Sequence, residues 1–245
     1  MPIRLVVVDI DGVLTRGSGE KALDLRLLER LADMNRAARM RPSHPAATLC
    51  TGRPAAYVEA MLQALNGHLP AIYENGAGLY LPDTYQFLAH PALGDLAEFQ
   101  MVRQRLEQAL VHTGQAFFQP GKEYSLSILA CDPAETGALY AQAVTALGPL
   151  RELVHLVYSA SCLNVLPHGI HKGEGIQLLA AHTGYAPGEM LGVGDSDVDL
   201  PFLARVGYSA APANATPDVR RLVGYVAPRP AADGVRDILD YFSLP

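Results

Sequence analysis

Residues 5–8 of the chain, LVVV, run directly into two carboxylates, Asp9 and Asp11, and then Gly12. The wider stretch IRLVVVD is rich in branched apolar residues and does not alternate with polar ones. That pattern belongs to a strand covered on both faces of a parallel sheet. It also raises a chemical difficulty, because neither aspartate has a neutralising cation beside it. Carboxylates gathered at the edge of a buried sheet repel one another, and each is driven to protonate or to bind a cation.

The rest of the chain supplies the layers that such a strand needs. After a glycine-rich loop (Gly12, Gly17, Gly19), Asp24 is placed to cap a helix, and Leu23 with Leu28 has hydrophobic-staple spacing. Leu27, Leu31, Met34 and Ala38 then share one helical face, which ends at Pro42 and Pro45. A short strand at 46–50 leads into TGRP, and Pro54 opens a helix that runs to about Leu65. Residues 71–81 read as a strand, a turn at Asn75-Gly76 and a second strand.

From 83 to 166 the rhythm changes. A helix at 94–112, two strands meeting around Gly121, a helix at 134–147 and two further strands repeat a helix-strand-strand pattern. This predicts a smaller α+β domain inserted into the first. Alternation resumes with a helix at 172–183, a strand ending at Asp195 and a last helix near 233–242. Residues 1–82 and 167–245 together predict one doubly wound parallel sheet, an α/β core carrying 83–166 as an insert. Ligands bind such sheets at the carboxyl ends of the strands. Three predicted strands end in DID, CTG and GVGDSD, so the polar groups collect along one edge.

Charge and cysteine content narrow the function. Formal net charge is −6 across 245 residues and no basic tract exists. The chain therefore lacks the electrostatic footprint for nucleic acid or for an anionic membrane surface. No apolar stretch approaches the ~20 residues needed to cross a bilayer. Cys50, Cys131 and Cys162 are far apart without CxxC spacing, which fits free thiols in a reducing cytoplasm. GVGDSD is not a dinucleotide fingerprint, since the third glycine of GxGxxG is missing.

The carboxylates point to a metal. Asp9 and Asp11 end the first strand, and Asp195, Asp197 and Asp199 follow a later one. Hard oxygen donors suit Mg²⁺, which takes one or two carboxylates and completes its shell with water and phosphate oxygens. Calcium in an EF-hand fails, because Leu200 and Val206 stand where that loop needs its glycine and its bidentate glutamate.

DIDGVLT resembles the DxDGTLT signature of the haloacid dehalogenase-like phosphatases. CTGRP resembles that family's second motif, the lysine of HKGEGIQLL its third, and GDSDVD its fourth. The four stand in the family's order over nearly the whole chain. The insert between the second and third motifs is similar to the Cof-type and sucrose-phosphatase-like subgroup, whose members carry an α/β cap there.

The resemblance implies a Mg²⁺-dependent phosphatase acting on a small phosphomonoester, such as a sugar phosphate or a phosphoglycolate-like acid. It implies Asp9 as nucleophile and Asp11 as the acid that protonates the leaving alcohol. It implies a metal held by the Asp9 carboxylate, the Asp11 carbonyl and the Asp195 carboxylate, with Asp199 orienting its neighbours. Thr51 and Gly52 would hold phosphate, and Lys172 would neutralise phosphate and nucleophile together. Arg53 and Asn75 lie where either would touch substrate. Lys122, in a turn of the insert before Glu123 and Tyr124, would meet a substrate anion. Two alternatives stay open: a phosphomutase or phosphotransferase, and a non-catalytic module that keeps the phosphate pocket.

Two local features sharpen this reading. Of 19 basic residues only Lys21, Lys122 and Lys172 are lysines. Lys172 opens a predicted helix, where the macrodipole disfavours a cation, so a local rule is broken at that position. Val198 stands where the family's fourth motif often has asparagine. His168 and His171, beside the lysine, read as hinge or packing residues.

Overall fold

The computed structural model describes residues 2–17, 22–159 and 162–245; Gly19 and Lys21 lie outside the described residues. Strand β1 (Leu5–Val8) leads to α1 (Leu25–Met40), β2 (Ala46–Leu49), α2 (Ala55–Ala64) and β3 (Ala71–Tyr73). A tight turn joins β3 to β4 (Gly78–Leu81), and β5 (Gln86–Ala89) follows. Next come α3 (Leu96–Leu106), β6 (Ala116–Phe118), β7 (Leu126–Ala130), α4 (Leu139–Leu147), β8 (Val154–Ser159) and β9 (Cys162–Pro167). The chain then returns through α5 (Lys172–Thr183), β10 (Met190–Val193), α6 (Leu200–Leu203), β11 (Tyr208–Ala211), α7 (Pro217–Leu222), β12 (Tyr225–Val226) and α8 (Ala231–Tyr241).

The core sheet is parallel throughout, in the order β12-β11-β10-β1-β2, and a parallel bridge from Cys50 to Ile72 carries it on to β3. Both faces of β1 are covered, which is why its sequence does not alternate. Val6 and Val8 pack with Leu27 and Leu31 of α1 and Val235 and Ile238 of α8. Leu5 and Val7 face the other way, onto Ile176 and Leu179 of α5 and Phe202 of α6. All four β1 side chains are fully buried, each contributing about 1.5–3 kcal/mol of apolar burial. The doubly wound α/β fold expected from the sequence is the one observed.

Asp24 caps α1 as expected, its Oδ1 accepting from the Leu27 amide at 2.9 Å. α6, β11, α7 and β12 are short, and β5 carries mostly exposed residues. Neither offered a periodic signal in the sequence. β5 falls inside 83–166 yet pairs antiparallel with β4, making a three-stranded sheet with β3.

The remaining strands form a separate four-stranded antiparallel sheet, β6-β7-β9-β8. α3 and α4 cover one of its faces, and Val102, Leu106, Leu139, Ala143, Ile128 and Val165 fill the layer between. This cluster is distinct from the two flanking the core sheet. Among the described residues no helix is long and apolar enough to cross a membrane.

Candidate active site

Three adjacent strands bring the motif residues together. Val8 is level with Val193 on one side and Leu49 on the other. The residues just beyond those ends, Asp9, Gly194-Asp195 and Cys50-Thr51, therefore emerge side by side. The chain leaves β1 toward β2 on one side and returns through β10 on the other, so this edge is the switch point of the sheet.

Lys172, first residue of α5, points into the same place and is 2% exposed. Its Nζ lies 2.9 Å from Asp9 Oδ1 and 2.5 Å from Asp199 Oδ1. The two carboxylates supply the compensation that the helix N-terminus does not. Asp199 is fully buried and fully engaged. Its second oxygen accepts from the Asp195 amide, the Ser196 amide and the Ser196 hydroxyl. Asp199 therefore orients both the lysine and the loop that carries Asp195.

Asp195 approaches Asp9 through a gap that only glycine leaves. A Cβ on Gly12, which has φ +76°, would fall 2.0 Å from Asp195 Oδ2. One oxygen from each of Asp9, Asp195 and Asp199 lies within 4.8 Å of the others. Asp199 is committed to Lys172 and the loop amides, whereas Asp9 is paired through Oδ1 and Asp195 through Oδ2, so these two carboxylates are the candidate hard-oxygen donors. Three carboxylates face one ammonium. Burial lifts Asp9 to about 7, with Lys172 opposing and Asp199 and Asp11 adding to the rise. Burial likewise lifts Asp195 to about 8, reinforced by the charges of Asp199 and Asp9. Burial also disfavours the charge on Lys172, but Asp199 and Asp9 outweigh it and hold the ammonium above its ordinary range. A divalent cation would offset this surplus of negative charge, so the residues present fit Mg²⁺.

Asp11 is half exposed and paired with Arg53, whose Nε donates to Asp11 Oδ2 at 2.8 Å and whose Nη2 also bonds its carboxylate. Thr51 is fully buried, and its Oγ1 accepts from the Arg53 amide at 3.2 Å. Asn75 sits against Gly52, and its Nδ2 is buried with no hydrogen-bond partner among the described residues. An orphaned buried donor beside the Thr51-Gly52 loop is matched to an oxygen-rich ligand. Cys50 is buried and its thiol is pushed up by that burial, which leaves it inert. His171 caps α5, accepting from the Glu174 amide at 3.3 Å. His168 lies against His155, with ring centroids 6.4 Å apart.

Comparison with known proteins adds relatives. A model of haloacid dehalogenase-like hydrolases matches residues 151–239. A phosphoglycolate phosphatase of Methanothermobacter thermautotrophicus is 22% identical over 241 residues, covering 98% of this chain and 99% of its own length. An HMP-PP phosphatase of Escherichia coli is 28% identical over 280 residues, covering 99% of this chain and 98% of its own. The crystal structure of Thermoplasma acidophilum protein 0175 superposes with a TM-score of 0.77 at 20% identity, covering 100% of both chains. The chain is similar to haloacid dehalogenase-like hydrolases in its C-terminal third and to phosphatases along its whole length.

Two residues of this hydrolase escaped the sequence reading. Asn214 ties the site's loops together: its Nδ2 donates to Asp195 Oδ2 at 2.8 Å and to the Gly12 carbonyl at 3.0 Å, and its Oδ1 accepts from the Ala231 amide at 2.7 Å. No periodicity marks it, since it lies in an irregular stretch after β11.

The second is Glu74. It is 1% exposed and accepts four hydrogen bonds, from the amides of Glu123, Tyr124 and Ser125 and from the Ser125 hydroxyl. The backbone at Glu74 has φ +46° and at Asn75 φ +58°, a left-handed pair that costs a non-glycine residue of order 1–3 kcal/mol each. The clasp to residues 123–125 holds that strain. Glu74→Ala strands three amides, that of Ser125 fully buried, and is expected to destabilise the hydrolase by about 2–4 kcal/mol in denaturant unfolding. A loss under 1 kcal/mol would mean water replaces the carboxylate without penalty.

Val198, at the fourth motif's variable position, is buried in the wall of a cavity of about 360 Å³ shared with Val157 and Leu166 of the antiparallel sheet.

Proposed function

We propose that this hydrolase is a Mg²⁺-dependent phosphatase that cleaves a small-molecule phosphomonoester through an aspartyl-phosphate on Asp9. The phosphatases that match it along its whole length support the reaction class. The observation that carries the mechanism is the row Asp195, Asp9, Lys172, Asp199 at the carboxyl edge of the sheet, buried but for the half-buried Asp195. A sugar phosphate or a phosphoglycolate-like acid fits a site of this kind.

Asp9 attacks phosphorus in line, forming a carboxylate–phosphorus bond as the ester P–O bond breaks. Asp11 delivers its proton to the departing alkoxide. A water molecule then attacks the aspartyl-phosphate, Asp11 takes the water's proton, and phosphate leaves with Asp9 restored. Lys172 neutralises charge on the transferring group from the buried side. The Thr51 and Gly52 loop and the unpartnered Asn75 amide bind its oxygens. Arg53 holds the Asp11 carboxylate and must yield it when Asp11 acts as acid, which frees the guanidinium for substrate. Mg²⁺, held by Asp9, Asp195 and the Asp11 carbonyl, would supply neutralisation of the anionic nucleophile and phosphate. Residues 83–166 serve as the cap; their separate sheet and separate apolar cluster support that role.

The test is a phosphatase assay over sugar phosphates, phosphoglycolate and nucleotides, with and without Mg²⁺. Hydrolysis is expected only with the metal. Asp195→Asn is expected to abolish the Mg²⁺-induced rise in melting temperature and to cut activity at saturating substrate by about 10²–10³-fold. Equal turnover in chelator would sink the metal's part in this reading.

A further inference from the structure

The four-stranded sheet turns a polar array away from its helices. Leu126, Ile128, Leu163 and Val165 fill the layer under α3 and α4. Strand alternation therefore sends Ser127 and Asn164, which are register partners, to the opposite face. Both are almost wholly buried. Lys122 joins them: its Nζ donates to Ser127 Oγ, which donates to Asn164 Oδ1 at 2.7 Å.

This ammonium is 7% exposed. Among the described residues no carboxylate lies within ion-pairing distance of it, whereas Lys172 has two. A buried cation held only by a neutral hydroxyl is expensive until an anion arrives. Burial draws Lys122 down to about 8, with Glu74, Cys162 and Asp11 pulling it up and Arg53 pushing it down.

Its position is set by the core. Glu74 grips residues 123–125, and a Cβ on Gly121 would lie 3.6 Å from Pro54 Cβ. Pro54 follows Arg53, the partner of Asp11, and both of those charges act on Lys122. The ammonium thus stands on the Asp11 side of the site, where the leaving alcohol departs.

We propose that Lys122, held by Ser127 and Asn164, recognises an anionic group on the alcohol half of the substrate, so that phosphomonoesters of small acidic alcohols are preferred over neutral ones. This rests on the phosphatase reading and names its substrate class.

Three esters differing at one position test it: 2-phosphoglycolate, ethylene glycol bisphosphate and 2-hydroxyethyl phosphate, with p-nitrophenyl phosphate as reference. Wild type is expected to favour at least one charged ester over the neutral one by about 100-fold in kcat/KM. Which charged ester wins identifies the anion as carboxylate or phosphate. Lys122→Met is expected to reduce that charged-to-neutral ratio about 100-fold, mainly through KM, and Ser127→Ala to reduce it less. In wild type, kcat/KM for the charged ester should fall above pH about 8, while that for the neutral ester does not share the step. Equal use of all three esters, or an unchanged ratio in Lys122→Met, overturns the proposal. Hydrolysis of p-nitrophenyl phosphate without any of the three overturns it while leaving the phosphatase reading intact. Loss of all four in wild type with Mg²⁺ overturns the phosphatase reading itself.

Discussion

Asp9→Asn is expected to lower kcat by about 10⁴-fold or more while the protein stays folded and still binds inorganic phosphate. The amide cannot form the phosphoryl intermediate, and no second buried carboxylate can take its place. Asp195 is half-buried but tied to Asn214, and Asp199 has both oxygens engaged. Stability should change by no more than about 1 kcal/mol. Burial already disfavours the charge on Asp9, lifting it to about 7, and an asparagine carbonyl still accepts from Lys172. Rapid-quench assays and phosphate titration separate the two effects. Residual hydrolysis above one part in a hundred would place the nucleophile elsewhere.

The largest stability loss is expected from Lys172→Met. The substitution keeps the side chain's volume and removes its charge, leaving the carboxylates of Asp9 and Asp199 buried together with no counter-ion. Breaking a buried pair in this way costs about 3–5 kcal/mol, measurable by urea unfolding in chelator. The pH dependence has a definite sign. An acid whose folded pKa is raised costs stability above that pKa and recovers it as pH falls through it. Without Lys172, which lowers Asp9, that carboxyl takes up its proton above the wild-type value of about 7, so the deficit of the variant should be greatest at alkaline pH and shrink as pH falls toward about 7. Added Mg²⁺ should also narrow it. A deficit that does not vary between pH 8 and pH 6 would mean that packing, not charge, explains the loss.

The two experiments bear on one arrangement from opposite sides. The first removes the reactive group and spares the fold, because a buried carboxylate gains little from remaining ionised. The second removes a group whose absence the fold cannot absorb, because a lone ammonium balances two negative side chains. Activity and stability separate here according to which charge the interior tolerates.

Much of the core and of its carboxylate-bearing edge was legible because each part is local. An unalternating apolar run ending in Asp9 announces a strand covered twice and a carboxylate at its tip. Lys172 was conspicuous as a lysine among arginines at the start of a helix. Asp24, Gly184 and the helical spacing of Leu27 to Ala38 declared one helix and the end of another. These signals depend on neighbours within a few residues, which a linear chain displays.

What the sequence alone determined was the doubly wound fold, the order of its elements and the residues that supply charge at the sheet edge. Only the tertiary structure decided how those charges are distributed. Asn214 reaches Gly12 across 202 positions, Glu74 grips residues 123–125 about fifty residues on, and Arg53 pairs with Asp11. Lys122 becomes buried, with no carboxylate in ion-pairing distance among the described residues, only in the folded chain. The physical reason is that burial and pairing are properties of space: a side chain's desolvation and its partner are set by segments distant in sequence, so neither leaves a periodic trace along the chain.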